Sequence, residues 1–118
     1  MTYKEMRQLS GMTQQKFADF FCVPKRTIEN WDAGKAQCKQ YLIDLFVYRI
    51  THLDQNFERC YFNVKDLRIA SGMTQKVFRE YFGFAVSTLE AWEGGRKQIA
   101  DYVLCLMEYK LYSENRIK

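Results

Sequence analysis

The pentapeptide SGMTQ stands at residues 10–14 and again at 71–75. Sliding the 118-residue chain against itself by 61 positions extends the match in both directions. Arg7 meets Arg68, Gly11 meets Gly72, Gln14 meets Gln75 and Phe17 meets Phe78. Thr27 meets Thr88, Trp31 meets Trp92, Gly34 meets Gly95 and Tyr48 meets Tyr109. No gap is needed, and 17 of the 47 positions compared between 4–50 and 65–111 are identical. That is an internal duplication, and it predicts two domains, 1–56 and 57–118. The stretch THLDQNFERCYF (51–62) joins the copies. Its Phe57, Tyr61 and Phe62 predict a packed segment and not a loose tether.

Composition sets the class. The chain is 47% apolar and 16% aromatic, enough to bury a core, with a single proline and six glycines. That balance favours helix over a turn-rich β sandwich. The net charge of +4 permits a nucleic-acid partner without requiring one. The four cysteines (22, 38, 60 and 105) form no C-x-x-C pair, and His52 is the one histidine, so no zinc site is expected. They read as core residues in a reducing cytoplasm. The N-terminus has no apolar run that would make a signal peptide, and no stretch is long and apolar enough to span a membrane. No cofactor is implied. No Ser/His/Asp set, phosphate loop or convergent carboxylate pair points to an enzyme.

Each copy reads as four or five short helices, which makes the fold all-α. In the first copy Thr2 and Glu5 have capping-box spacing and open the first helix, which Gly11 ends. Thr13 caps a second helix with Phe17, Phe20 and Phe21 on its inner side. Cys22-Val23-Pro24 is a turn. A third helix runs from about Lys25 to Asp32, burying Ile28 and Trp31, and Gly34 terminates it. A longer fourth helix carries Leu42, Leu45, Phe46 and Ile50 at helical spacing. In the second copy Asn63 and Thr74 are the caps, and Leu104, Leu106, Met107 and Leu111 fill the last helix.

The segments GMTQQKFADFFCVPKRTIENWDAGK (11–35) and GMTQKVFREYFGFAVSTLEAWEGGR (72–96) resemble the phage-repressor/Cro-like, or XRE, helix-turn-helix family. The resemblance covers nearly all of both copies and implies two tandem lambda-repressor-like bundles. A small residue is wanted at 18, where the second and third helices meet. Position 22 is best filled by glycine, because the turn needs φ > 0. Arg7 with Asp32, and Arg68 with Glu93, read as structural ion pairs.

In that family the third helix lies in the DNA major groove. The positions facing base edges are then Lys25, Arg26, Thr27 and Asn30, whose side chains suit guanine and adenine. Gln14 and Lys35 are phosphate candidates. The second copy offers Gln75, Ser87, Thr88, Arg96 and Lys97 to phosphates. Its reading positions hold Val86 and Ala91, which can at most touch a thymine methyl. Arg79 replaces the small Ala18, so the helices are splayed there or Arg79 points outward. Glu29 and Glu90 share a helix-face position and would repel phosphate.

These readings imply a DNA-binding transcriptional regulator of bacterial or phage type, reading sequence through the first copy. Two arrangements stay open: a monomer whose copies form an internal pseudo-dimer, or a homodimer. With the copies related by a pseudo-two-fold axis, the reading helices would stand about 34 Å apart, one DNA turn. The rival is a helix-turn-helix scaffold recruited as a protein-binding adaptor or inhibitor. It draws on the aromatic inventory Tyr3, Tyr48, Tyr61, Phe62, Tyr81, Tyr109 and Tyr112, since aromatics are enriched at interfaces. Burial of most of these rings inside the two bundles is the plainer reading.

Overall fold

A computed structural model of the chain describes residues 1–53 and 57–117. The chain divides into two compact units, Met1–Leu53 and Asp54–Lys118, and is all-α. Unit one holds α1 (Tyr3–Ser10), α2 (Gln14–Phe21), α3 (Lys25–Asp32) and α4 (Gln40–Ile50). Unit two holds α5 (Val64–Ser71), α6 (Gln75–Phe82), α7 (Val86–Glu93) and α8 (Asp101–Ser113). Every helix of unit two begins 61 residues after its counterpart.

The repeated pentapeptide is the joint between the first two helices of each unit. Ser10 Oγ donates to the Arg7 carbonyl at 2.6 Å and accepts from Met12 N at 3.2 Å. Gly11 ends α1 at φ 62, a left-handed conformation that glycine adopts without strain. The Met12 carbonyl accepts from Arg7 Nη1 at 3.0 Å. Thr13 caps α2 by accepting from Lys16 N at 3.1 Å. Gln14 reaches the far end of α3. Ser71, Gly72, Met73, Thr74 and Gln75 repeat each role in unit two. The five identical residues are therefore five different local requirements met twice.

Upstream, Thr2 and Glu5 form the capping box: Glu5 N donates to Thr2 Oγ1 at 3.1 Å and Thr2 N to Glu5 Oε1 at 2.8 Å. The turn after α2 places Cys22 at φ 57, where Gly83 of unit two sits at φ 84.

The two cores share a plan but exchange a ring. In unit one Phe46 of α4 packs on Phe17 at 5.2 Å, Phe21 at 5.0 Å and Trp31 at 6.1 Å. In unit two its place is taken by Met107, and the turn supplies Phe84 where unit one has Val23. Phe84 meets Trp92 at 5.2 Å and Phe78 at 6.2 Å. Large and small have traded places between the turn and the last helix, which conserves core volume.

Three expectations are corrected. Phe20 is 42% exposed, not inward. On an eight-residue helix it lies beside the buried stripe of Phe17 and Phe21, and its ring rests on Phe21 at 4.9 Å and beneath the Arg49 guanidinium at 5.4 Å. Phe62 is 71% exposed although its segment is packed. Of the cysteines, Cys38 is a core residue, its thiol pushed up to about 12 by burial, but Cys22 and Cys60 are exposed. Among the other aromatics Tyr109 is buried, Tyr3, Tyr48, Tyr61 and Tyr81 are half-buried, and Tyr112 is exposed.

Residues 54–56 of the joining stretch lie outside the described residues. Residues 57–62 belong to unit two, held there by polar contacts as well as rings. Glu108, fully buried in α8, accepts from Cys60 N at 2.7 Å and Tyr61 N at 3.1 Å. Arg59 pairs with Asp101 at 2.7 Å, and Phe57 packs on Tyr109 at 5.3 Å. Unit one has Val47 where unit two has Glu108.

Two predictions concern these features. Cys22→Gly relieves a left-handed L-residue, worth about 1–2 kcal/mol, against a smaller entropic loss. It should raise the stability of unit one by about 0.5–1 kcal/mol in urea unfolding; a loss of stability would show that the turn is held by the cysteine side chain. Glu108→Val leaves two N–H groups without their acceptor and should cost about 2 kcal/mol. Faster amide exchange at Cys60 and Tyr61 would accompany it, and unchanged exchange there would remove the carboxylate from its anchoring role.

Candidate nucleic-acid interface

The first turn of α3 carries the chemistry. Pro24 precedes it at φ −55 and provides no side-chain cap, so the N–H groups of Lys25 and Arg26 at the start of α3 have no capping side chain. That end of the helix carries partial positive charge. Lys25 and Arg26 stand on it, both exposed. Neither side chain makes a hydrogen bond or ion pair with any described residue. Thr27 and Asn30, one turn along, are half-buried beside Ile28, which is fully buried. At the other end Gly34 turns the chain at φ 75, and Lys35 N and Ala36 N both donate to the Asn30 carbonyl, at 2.9 and 3.3 Å. Lys35 is exposed next to that closure.

The orientation of α3 is fixed from behind. Asp32, in its last turn, accepts from four donors on α1 and α2. Tyr3 Oη lies at 2.6 Å, Gln14 Nε2 at 2.8 Å, Arg7 Nε at 3.2 Å and Arg7 Nη2 at 3.4 Å. Arg7 also lies over the Phe17 ring at 4.8 Å. Burial opposes the charge on Asp32, but the hydrogen bonds of Tyr3, Gln14 and Arg7 and the Arg7 charge outweigh it. They hold its carboxyl below the usual carboxylate range. Burial, followed by the Asp32 hydrogen bond and charge, pushes the Tyr3 hydroxyl up.

Unit two builds the same clamp with one donor fewer. Arg68 donates to Glu93 from Nε at 2.7 Å and Nη2 at 3.0 Å, and Gln75 Nε2 does so at 3.2 Å. Val64 stands where unit one has Tyr3. The glutamate is one methylene longer than Asp32 and meets the guanidinium in a two-pronged pair. Burial opposes its charge too, and the bonds from Arg68 and Gln75 again win, lowering its pKa. Gln14 and Gln75 thus each direct an amide donor to a carboxylate at the end of the third helix. The sequence reading offered these two side chains to phosphate and did not foresee that link. Tyr3 as a donor was missed entirely, and nothing in its spacing signals it.

The reading positions of unit two are not equivalent to those of unit one. Val86 and Ser87 are exposed, and Thr88 is half-buried. Ala91 is only 8% exposed, so it lies in the core and is not available to a thymine methyl. Asn30, at the same position in unit one, is half-buried. Arg79 is half-exposed, with α6 and α7 still in contact, so the arginine is accommodated outward without splaying the helices. Arg96 and Lys97 are exposed after the turn, their backbone N–H groups closing on the Ala91 carbonyl at 3.0 and 3.2 Å.

Electrostatics divide the units further. Unit one carries eight Lys and Arg against five Asp and Glu. Four of those acids have internal donors: Glu5 from Thr2, Asp19 from Gln15, Asp32 from its clamp and Asp44 from Gln40. Unit two is nearly balanced, with ten cations and nine anions. Among the described residues no group of three or more His, Cys, Asp or Glu could hold a metal ion, and no helix is long and apolar enough to cross a membrane.

No family model, curated protein or solved structure matches the chain.

The clamp sets an acid dependence. Asp32 and Glu93 have folded-state pKa values below their ordinary 3.8 and 4.5. Their contribution is therefore complete above about pH 5 and is lost as the pH falls through the lower folded values. Asp32→Asn should cost about 1–2 kcal/mol at pH 7, the carboxylate being 26% exposed. It should also flatten the fall in urea midpoint between about pH 5 and 2. An unchanged acid slope in the variant would assign the acid sensitivity to other carboxylates.

Proposed function

We propose that the chain binds double-stranded DNA with sequence preference, α3 of unit one entering the major groove, as a small regulator of the phage-repressor/Cro-like type. The observation that carries this reading is the pairing of free cations with an uncapped helix start. Lys25 and Arg26 project from the positive end of α3 without internal partners, on a unit whose acids are mostly engaged elsewhere. An Arg or Lys there can donate to guanine O6 and N7, and Asn30 can pair with adenine once its half-buried amide turns out. Lys35 and the N-terminus of α2 at Gln14 supply phosphate contacts. With no side chain of unit two matching Lys25 or Arg26, its share is backbone grip: Arg96 and Lys97, with Gln75, Ser87 and Thr88 at the helix starts. The site would then be asymmetric, with one half read and the other held. A cytoplasmic setting follows from this role.

A second reading, a protein-binding adaptor, is favoured by one observation. Val77, Val86, Phe62 and Tyr112 of unit two are exposed apolar side chains. Salt separates the two readings. Binding through several phosphates weakens steeply between about 50 and 200 mM salt, whereas an apolar protein contact does not.

The test is selection of bound duplexes from a random pool, followed by affinity measurement on the enriched site. Lys25→Ala with Arg26→Ala should abolish the enrichment and weaken binding by about 2–5 kcal/mol in sum. Equal binding by the double variant puts the reading surface elsewhere. Absence of retardation at low salt removes DNA as the partner and leaves the adaptor.

A further inference from the structure

We propose that Glu29 is a base-reading residue that selects cytosine, a role that rests on the DNA reading above. Its place on the helix is the first ground. At about 100° per residue, Glu29 falls one turn beyond Lys25 and between Lys25 and Arg26 around the helix axis. Ile28 and Trp31 define the opposite, inward side. Glu29 is therefore central to the exposed face of α3, and any approach that brings both cations to base edges brings the carboxylate with them.

The second ground is that the fold makes no use of it. The Glu29 side chain is exposed and makes no hydrogen bond or ion pair with any described residue, although Lys25 and Arg26 stand at i−4 and i−3. Every other acid of unit one has an internal donor. A lone carboxylate amid a DNA-facing cation set repels phosphates, so it must meet a donor in the groove to be tolerated there. It is an acceptor only. Guanine O6 and N7 and thymine O4 are acceptors and repel it. Adenine offers the N6 amino group, but its N7 acceptor lies beside it. Cytosine N4 is the donor without an adjacent acceptor on the same edge. The chemistry that recognises Glu29 is thus a cytosine amino group next to the bases contacted by Lys25 and Arg26.

Unit two provides the internal contrast. Glu90 holds the same position on α7, its side chain also exposed and without a described partner, but its neighbours are Val86 and Ser87. No cation of α7 stands beside that carboxylate.

The experiment is duplex selection with the full chain, comparing wild type, Glu29→Gln, Glu29→Ala and Glu90→Gln, with circular dichroism to verify the fold. The wild type should enrich a site with cytosine at one position. Glu29→Ala should lower that preference about tenfold while leaving the other positions as they were. Glu29→Gln should convert it to adenine, because a carboxamide pairs with adenine N6 and N7. Glu90→Gln, which changes charge alone, should leave the base profile intact. A Glu29→Gln profile identical to wild type at every position overturns the assignment while sparing the DNA reading. A wild type that enriches nothing and retards no duplex at low salt overturns both.

Discussion

A single carboxylate in the last turn of the third helix organises each unit. Asp32 and Glu93 are approached from two other helices at once: an arginine from the first, and a glutamine from the start of the second. These donors fix the third helix in position and rotation, and rotation decides which residues face outward. Apolar burial of Ile28 or Leu89 is non-directional and would tolerate a slipped helix. A forked guanidinium against a carboxylate does not. The same arginine closes the loop by holding the Met12 or Met73 carbonyl. Much of the repeated sequence is therefore the clamp and its joint, and the outward face of the third helix is what remains free to vary.

Variation has followed that division. The clamps differ by one methylene and one tyrosine, and the cores by a ring moved from α4 to the turn. The outward faces differ in kind: Lys25, Arg26 and Asn30 against Val86, Ser87 and a buried Ala91. Two copies under one constraint would have kept the face and let the core drift within its volume. Here the scaffold geometry is held and the face is replaced.

The helices were legible because punctuation and periodicity agree. Capping threonines, glycines at left-handed ends and the 61-residue offset mark helix starts and stops, and each mark is a local backbone requirement. The arginine–carboxylate pairs were legible because the duplication holds charge sign at two distant positions. What escaped was the lateral position of residues at the edge of a stripe. Phe20 reads as core from its chemistry, yet two better-placed phenylalanines already fill that side of a short helix. Ala91 reads as the counterpart of a polar Asn30, although a methyl can sink into a flank where an amide cannot. Tyr3 and Glu108 escaped for another reason. Each is bonded to a partner far along the chain, and neither has an equivalent in the other copy to mark it.

Glu108 shows how far the copies have parted. Unit one has Val47 there. In unit two the segment before the first helix lies on α8, and a buried carboxylate accepts its backbone N–H groups. A buried polar group is costly unless hydrogen-bonded, so the segment's N–H groups make this glutamate tolerable, and the glutamate joins the Arg59–Asp101 pair and the Phe57–Tyr109 contact in holding the segment. Residues 57–62 are thus part of the second unit's fold, which makes the two units unequal in architecture as well as in surface chemistry.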